Sequence, residues 1–192
     1  MSPTDHPLGN YRFLPGIAPY SCGAVSAPGF EIAHVTFQKP PAFREGFDRI
    51  GDFLDAEGRP KAALCGVELR SPRPYTFAGF GEFNAAYAEI LEEWGVFVEG
   101  VNPVGRTNVA PAVDAPSAPV LYGFSYSKPC TPNLPPTFVV AGAGELPEGV
   151  LSRESIVSLG DVSSRGLEAK ARFVMDLMER RLEGLGVDWP RV

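Results

Sequence analysis

Histidine and cysteine are scarce in this chain. His6 and His34 are the only histidines, and Cys22, Cys65 and Cys130 the only cysteines, with no Cys-x-x-Cys spacing. Neither a structural zinc site nor a disulfide framework is therefore expected. A run of about 18 apolar residues is also missing, so no helical membrane span and no membrane partner are expected. Basic residues are outnumbered, 17 Lys and Arg against 23 Asp and Glu, giving a net charge of -6. With no basic stripe interleaved with aromatics, attraction to a phosphate backbone is weak, and no nucleic-acid partner is expected. Met1 to Asn10 offer neither a basic start nor an apolar stretch, so no secretory leader is expected and the cytoplasm is the default location.

Glycine (21 residues) and proline (20) are plentiful. They cluster between periodic segments, as in a chain of short elements joined by firm turns. Gly23 to Ser26 and Phe30 to Phe37 flank Pro28-Gly29 and read as a hairpin. From Ala42 to Glu57, Phe43, Phe47, Ile50 and Leu54 form one apolar stripe, which predicts a helix closed by Gly58. Ala62 to Leu69 reads as a buried strand. A second helix is predicted from about Phe80 to Trp94, and strands at Thr107 to Ala110 and Val120 to Ser127 follow it. This order predicts an α+β or α/β sandwich with two helices packed on one face of a sheet.

Pro129 to Pro136 has linker composition. Beyond it, Thr137 to Ala141 reads as a strand, with a second short strand near Ser155 to Leu159. A third helix is predicted from roughly Arg165 to Leu185, capped by Ser163 or Ser164, with an apolar stripe of Leu167, Ala171, Val174, Met178, Leu182 and Leu185. Residues 137–186 thus repeat the hairpin-then-helix order of residues 23–58.

Three local sequences carry a family resemblance. Ile17-Ala18-Pro19-Tyr20-Ser21 resembles the opening I-G-P-Y-S stretch of the RidA (YjgF) family. The segment from Phe80 through Asn84 to Tyr87 resembles its D-F-x-x-x-N-x-x-Y helix, with Gly79 in place of the aspartate. Pro103 to Ala110 resembles its P-x-R-x-x-V-x-V strand, with one extra residue before Arg106. Phe138 to Pro147 is similar to the family's V-Y-V-S-G-Q-x-P strand, and Gly160-Asp161 with the helix after it to its G-D-x-x-x-Q region. The resemblance divides the chain into a RidA-like domain (11–128), a Pro-rich linker (129–136) and a partial RidA-like repeat (137–192).

That resemblance implies a chorismate-mutase-like sheet with two helices on one face, plus an extra half unit. It also implies a homo-oligomer, a trimer or a multiple of it, with ligand sites between subunits. The implied activity is hydrolytic deamination of small carboxylated imines or enamines, with Arg106 holding the substrate carboxylate; no cofactor is implied. A planar guanidinium suits this task because it donates two parallel charge-assisted hydrogen bonds. Tyr20, Thr36, Asn84, Asn108 and Tyr122 are the candidate substrate-binding positions. Asn108 stands where the family often has a cysteine, and Leu121 or Tyr122 where it has a glutamate that positions water. A binding protein for a small carboxylic acid is the alternative, and an endoribonuclease, disfavoured by the acidic charge, the third reading. His34 reads as a structural histidine in an apolar strand, Cys65 as a small apolar core residue, and Glu145 and Glu148 as solvated charges flanking Pro147, with a cleft-facing carboxylate as the alternative.

Overall fold

The computed structural model describes residues 2–192 except 132, 133 and 151. Among the described residues the strands are β1 (Thr4–His6), β2 (Tyr11–Leu14), β3 (Gly23–Ser26), β4 (Phe30–Thr36), β5 (Leu64–Arg70), β6 (Gly105–Val109), β7 (Val120–Pro129) and β8 (Phe138–Val140). Three α-helices accompany them, α1 (Phe43–Ala56), α2 (Phe77–Glu93) and α3 (Ser164–Leu185). The fold is α+β, as expected, but the strands form two four-stranded sheets, ordered β1-β2-β3-β8 and β4-β7-β5-β6. In the second, β5 and β6 pair in parallel.

Hydrophobic patterning explains the layering. Phe47, Ile50 and Leu54 of α1 and Tyr87, Ile90 and Leu91 of α2 bury against Val67, Leu69, Leu121 and Phe124 of the second sheet. On the first sheet, alternation sends Leu14, Val25, Phe138 and Val140 toward Leu182 and Leu185 of α3. The opposite residues, Phe13, Ala24 and Val139, join Tyr11, Ile32 and Cys65 between the sheets. The Tyr11 hydroxyl crosses that interface to donate to the Leu64 carbonyl at 2.8 Å. The result is a helix, sheet, sheet, helix stack. No described helix is long and apolar enough to cross a membrane.

The hairpin expected around Pro28-Gly29 does not form: β3 and β4 turn into different sheets. Thr137 separates them. Its carbonyl accepts from Ser26 N at 2.9 Å and its hydroxyl accepts from Ile32 N at 2.6 Å, so the chain leading into β8 occupies bonds that a hairpin would have used. Gly23 makes this approach possible, because a side chain there would run into the Val139 carbonyl oxygen. The Pro-rich segment includes positions 132 and 133, which lie outside the described residues. The strand expected near Ser155 to Leu159 is replaced by a 3-10 turn at Arg153–Ser155 and further turns.

The apolar stripe expected on α3 is also displaced. Leu177, Arg181, Leu182 and Leu185 are buried, whereas Leu167 is exposed. The core face passes through an arginine, which a hydrophobic pattern skips. Strands β1 and β2 are not among the elements the sequence predicts.

Candidate active site

Arg106 projects from β6, where pairing with Val67 of β5 and a bridge from Gly105 to Ser21 fix the backbone on both sides. Only 3% of the residue is exposed. Its guanidinium carbon lies 4.7 Å from the ring centres of both Tyr20 and Tyr87, 5.6 Å from Phe80 and 5.7 Å from Phe83. Nη2 donates to Asn84 Oδ1 at 2.7 Å. Nη1 is buried with no hydrogen-bond partner, and no carboxylate pairs with this cation among the described residues. Burial therefore pulls the Arg106 pKa below its usual range and, against the pull of Arg106, lifts that of Tyr20. A buried charge compensated only by aromatic faces and one amide is incomplete without an anion.

Helix α2 supplies most of the cage. Thr76 caps its start, its hydroxyl accepting from Gly79 N at 3.1 Å, and Phe80, Phe83, Asn84 and Tyr87 then follow at i, i+3, i+4 and i+7, one face of the helix. The same residues that pack the core thus also frame the cation.

Beside the cage lies a cavity of about 510 Å³. One wall comes from Tyr20 and Cys22 ahead of β3, the segment from Ser71 to Phe80, and Asn108 to Ala110 at the end of β6. The facing wall is the tail: Gly142 to Gly144, Leu146 to Val150, and Leu177 and Arg181 of α3. Gly142 N donates to Thr107 Oγ1 at 2.9 Å and joins the two walls. Arg106 stands one layer behind the surface; Tyr20 and Phe80, whose rings lie against its guanidinium, are themselves cavity walls.

Four candidates from the sequence come together here: Arg106, Tyr20, Asn84 and Asn108. Asn108, two residues along β6 and hence on the same face as Arg106, reaches the cavity and accepts from Ser71 Oγ at 2.8 Å. Thr36 and Tyr122 lie elsewhere. Thr36 is exposed on β4, the edge of its sheet opposite β6, with His34 Nε2 3.3 Å from its hydroxyl. Tyr122 on β7 stacks under Arg70 at 4.0 Å.

Two further charged residues meet at the cavity. Glu148, expected as a solvated charge or a cleft-facing carboxylate, lines it and pairs with Arg181 at 2.6 Å, and Arg181 escaped the sequence reading. Arg181 sits one turn from both Leu177 and Leu185, a register that could have marked it as inward-facing. Burial pushes the Cys22 thiol next to this pair up to about 12, so it stays protonated at neutral pH. Among the described residues no group of three or more His, Cys, Asp or Glu converges to hold a metal ion.

Comparison with known proteins adds a chemical frame. Residues 3–192 match the family model described as 2-aminomuconate deaminase CnbZ. The chain is 42% identical over 183 residues to 2-amino-5-chloromuconate deaminase of Comamonas testosteroni, covering 94% of this chain and 73% of that protein. No solved structure matches.

Proposed function

The chain belongs to the 2-aminomuconate deaminase CnbZ family, and from that membership we propose that it hydrolyses the amino group of small carboxylated enamines and imines, with 2-aminomuconate-type dicarboxylates as its substrates. The observation that carries this reading is Arg106, a buried cation with a free Nη1 and no carboxylate partner among the described residues, caged beside the cavity.

In this reading the substrate carboxylate next to the reacting carbon takes the free side of the Arg106 guanidinium. Tyr20 is the gate: a turn of its ring off the guanidinium opens Nη1 to the cavity. Asn84 holds the guanidinium plane and Asn108 offers an amide to the bound acid. Arg73, at the cavity wall and without an ion pair among the described residues, suits the distal carboxylate of a dicarboxylic substrate. Fixing the acid at both ends sets the carbon that bears nitrogen in front of a water.

The test is ammonia release from 2-aminomuconate generated in situ, with Arg106→Ala as control. Losing the charge lowers kcat/KM by at least about 100-fold, about 2.7 kcal/mol of transition-state stabilisation. A wild-type protein that releases no ammonia, or an Arg106→Ala variant as active as wild type, defeats the proposal. The same reading takes the fold as RidA-like, with the tail as half a repeat, and the assembly as a trimer or a multiple of it. The parallel β5/β6 pair flanked by β7 and β4 supports the topology, and light scattering tests the assembly.

A further inference from the structure

The cavity wall contains one carboxylate among the described residues, Glu148. Its two oxygens are held unequally. Oε1 accepts from Arg181 Nη2 at 2.6 Å, from Arg181 Nε at 2.9 Å and from the Cys22 thiol at 3.1 Å. Arg181 cannot swing away, because its Nη1 also donates to the Ala141 and Gly142 carbonyls at 2.7 and 3.1 Å. Oε2 receives no hydrogen bond among the described residues, and the Glu148 side chain keeps 26% of its surface open. A carboxylate anchored through one oxygen and free at the other, in a cavity whose other charged groups are cations, is arranged to accept a proton.

We propose that Glu148 is the catalytic base of the deamination, taking a proton from the attacking water through Oε2, with Arg181 as its positioning residue. This rests on the deaminase reading of the site. The reaction starts from the protonated imine tautomer of the substrate. Water oxygen bonds to the imine carbon, one water proton passes to Glu148, and the C=N π pair moves onto nitrogen, giving a neutral carbinolamine. Glu148 then returns that proton to nitrogen. The hydroxyl oxygen forms the C=O bond as the C–N bond breaks, and ammonia leaves with the hydroxyl proton as ammonium. Iminium plus water thus becomes ketone plus ammonium, with Glu148 restored.

A purely structural ion pair would tie α3 to the tail without touching turnover. Glu148→Gln separates the two, since the amide oxygen still accepts from Arg181 but cannot carry the proton. With 2-aminomuconate generated in situ, the expected result is a kcat at least about 100-fold lower with KM within about threefold, and loss of the fall in kcat that wild type shows on acidification. The charged and titratable groups facing Glu148 are Arg181 on α3, with Cys22 and Tyr20 ahead of β3. A variant that keeps kcat within about threefold, or the wild-type acid limb, overturns the role. If the amide variant does not fold, Glu148→Asp decides: a kcat at least about tenfold lower with KM within about threefold supports the base, and a kcat within about threefold overturns it. A wild type without ammonia release overturns the deaminase reading itself, whereas an active wild type matched by Glu148→Gln removes Glu148 alone.

Discussion

His6 is nearly fully buried, its ring edge-on to Tyr11 at 5.0 Å and its Nε2 without a partner. Burial lowers its pKa in the folded state, so the unfolded chain binds the proton more readily. Stability is then full above the ordinary histidine pKa of about 6.5 and falls as pH drops through it. Chemical denaturation at pH 7 and pH 5.5 checks this: wild type loses stability between the two, and His6→Phe loses less. At this scale the sequence was informative where a residue type is unusual for its place. Arg106 stood out because the family pattern puts an arginine on a strand end, and Tyr20 and Asn84 followed from the same pattern. Glu148 and Arg181 did not stand out, because each is ordinary alone and gains meaning only from the other, far along the chain.

The N-terminus of α2 positions the aromatic cage, and a single hydroxyl closes it. Thr76→Ala removes the bond to Gly79 N and is expected to cost about 1 kcal/mol, a fall of about 2–4 °C in Tm for a chain of this size. Thermal unfolding followed by circular dichroism measures it; an unchanged Tm would mean the cap contributes nothing. Helices α1 and α2 were legible because a 3.6-residue period in Phe, Ile and Leu leaves few alternatives. Their ends were less so: α2 starts at Phe77 rather than near Phe80 because the Thr76 cap, not the apolar stripe, sets the first turn. The β3–β4 hairpin failed for a different reason. Pro28-Gly29 does turn the chain, but the partner of β3 is β8, whose claim on that edge no local window contains.

Across the whole molecule, the tail is structural as well as catalytic in this reading. Strand β8 completes the first sheet and α3 covers it, so Leu14, Cys22 and Val25 are buried only when residues 137–192 are present. A chain ending at position 136 is expected to expose this apolar face, bind a hydrophobic dye and lose the sharp thermal transition of the full protein. A fragment that binds no dye and melts as sharply as the full protein would mean that the tail is not needed to cover this face. The order of elements narrowed the class to α+β or α/β, and the family resemblance selected α+β. The division into two sheets was not, since it depends on which distant strand wins each edge.

The seam where Gly142 bonds Thr107 has one more consequence. Opposite sides of the pocket belong to one polypeptide, so they meet through the tether between them rather than by collision of separate molecules, and their mutual concentration is fixed by chain length. Here a replacement in the 142–150 lip changes that lip and leaves the Ser71 to Phe80 rim as it was, so the two sides can be tuned separately for the shape of the acid between them.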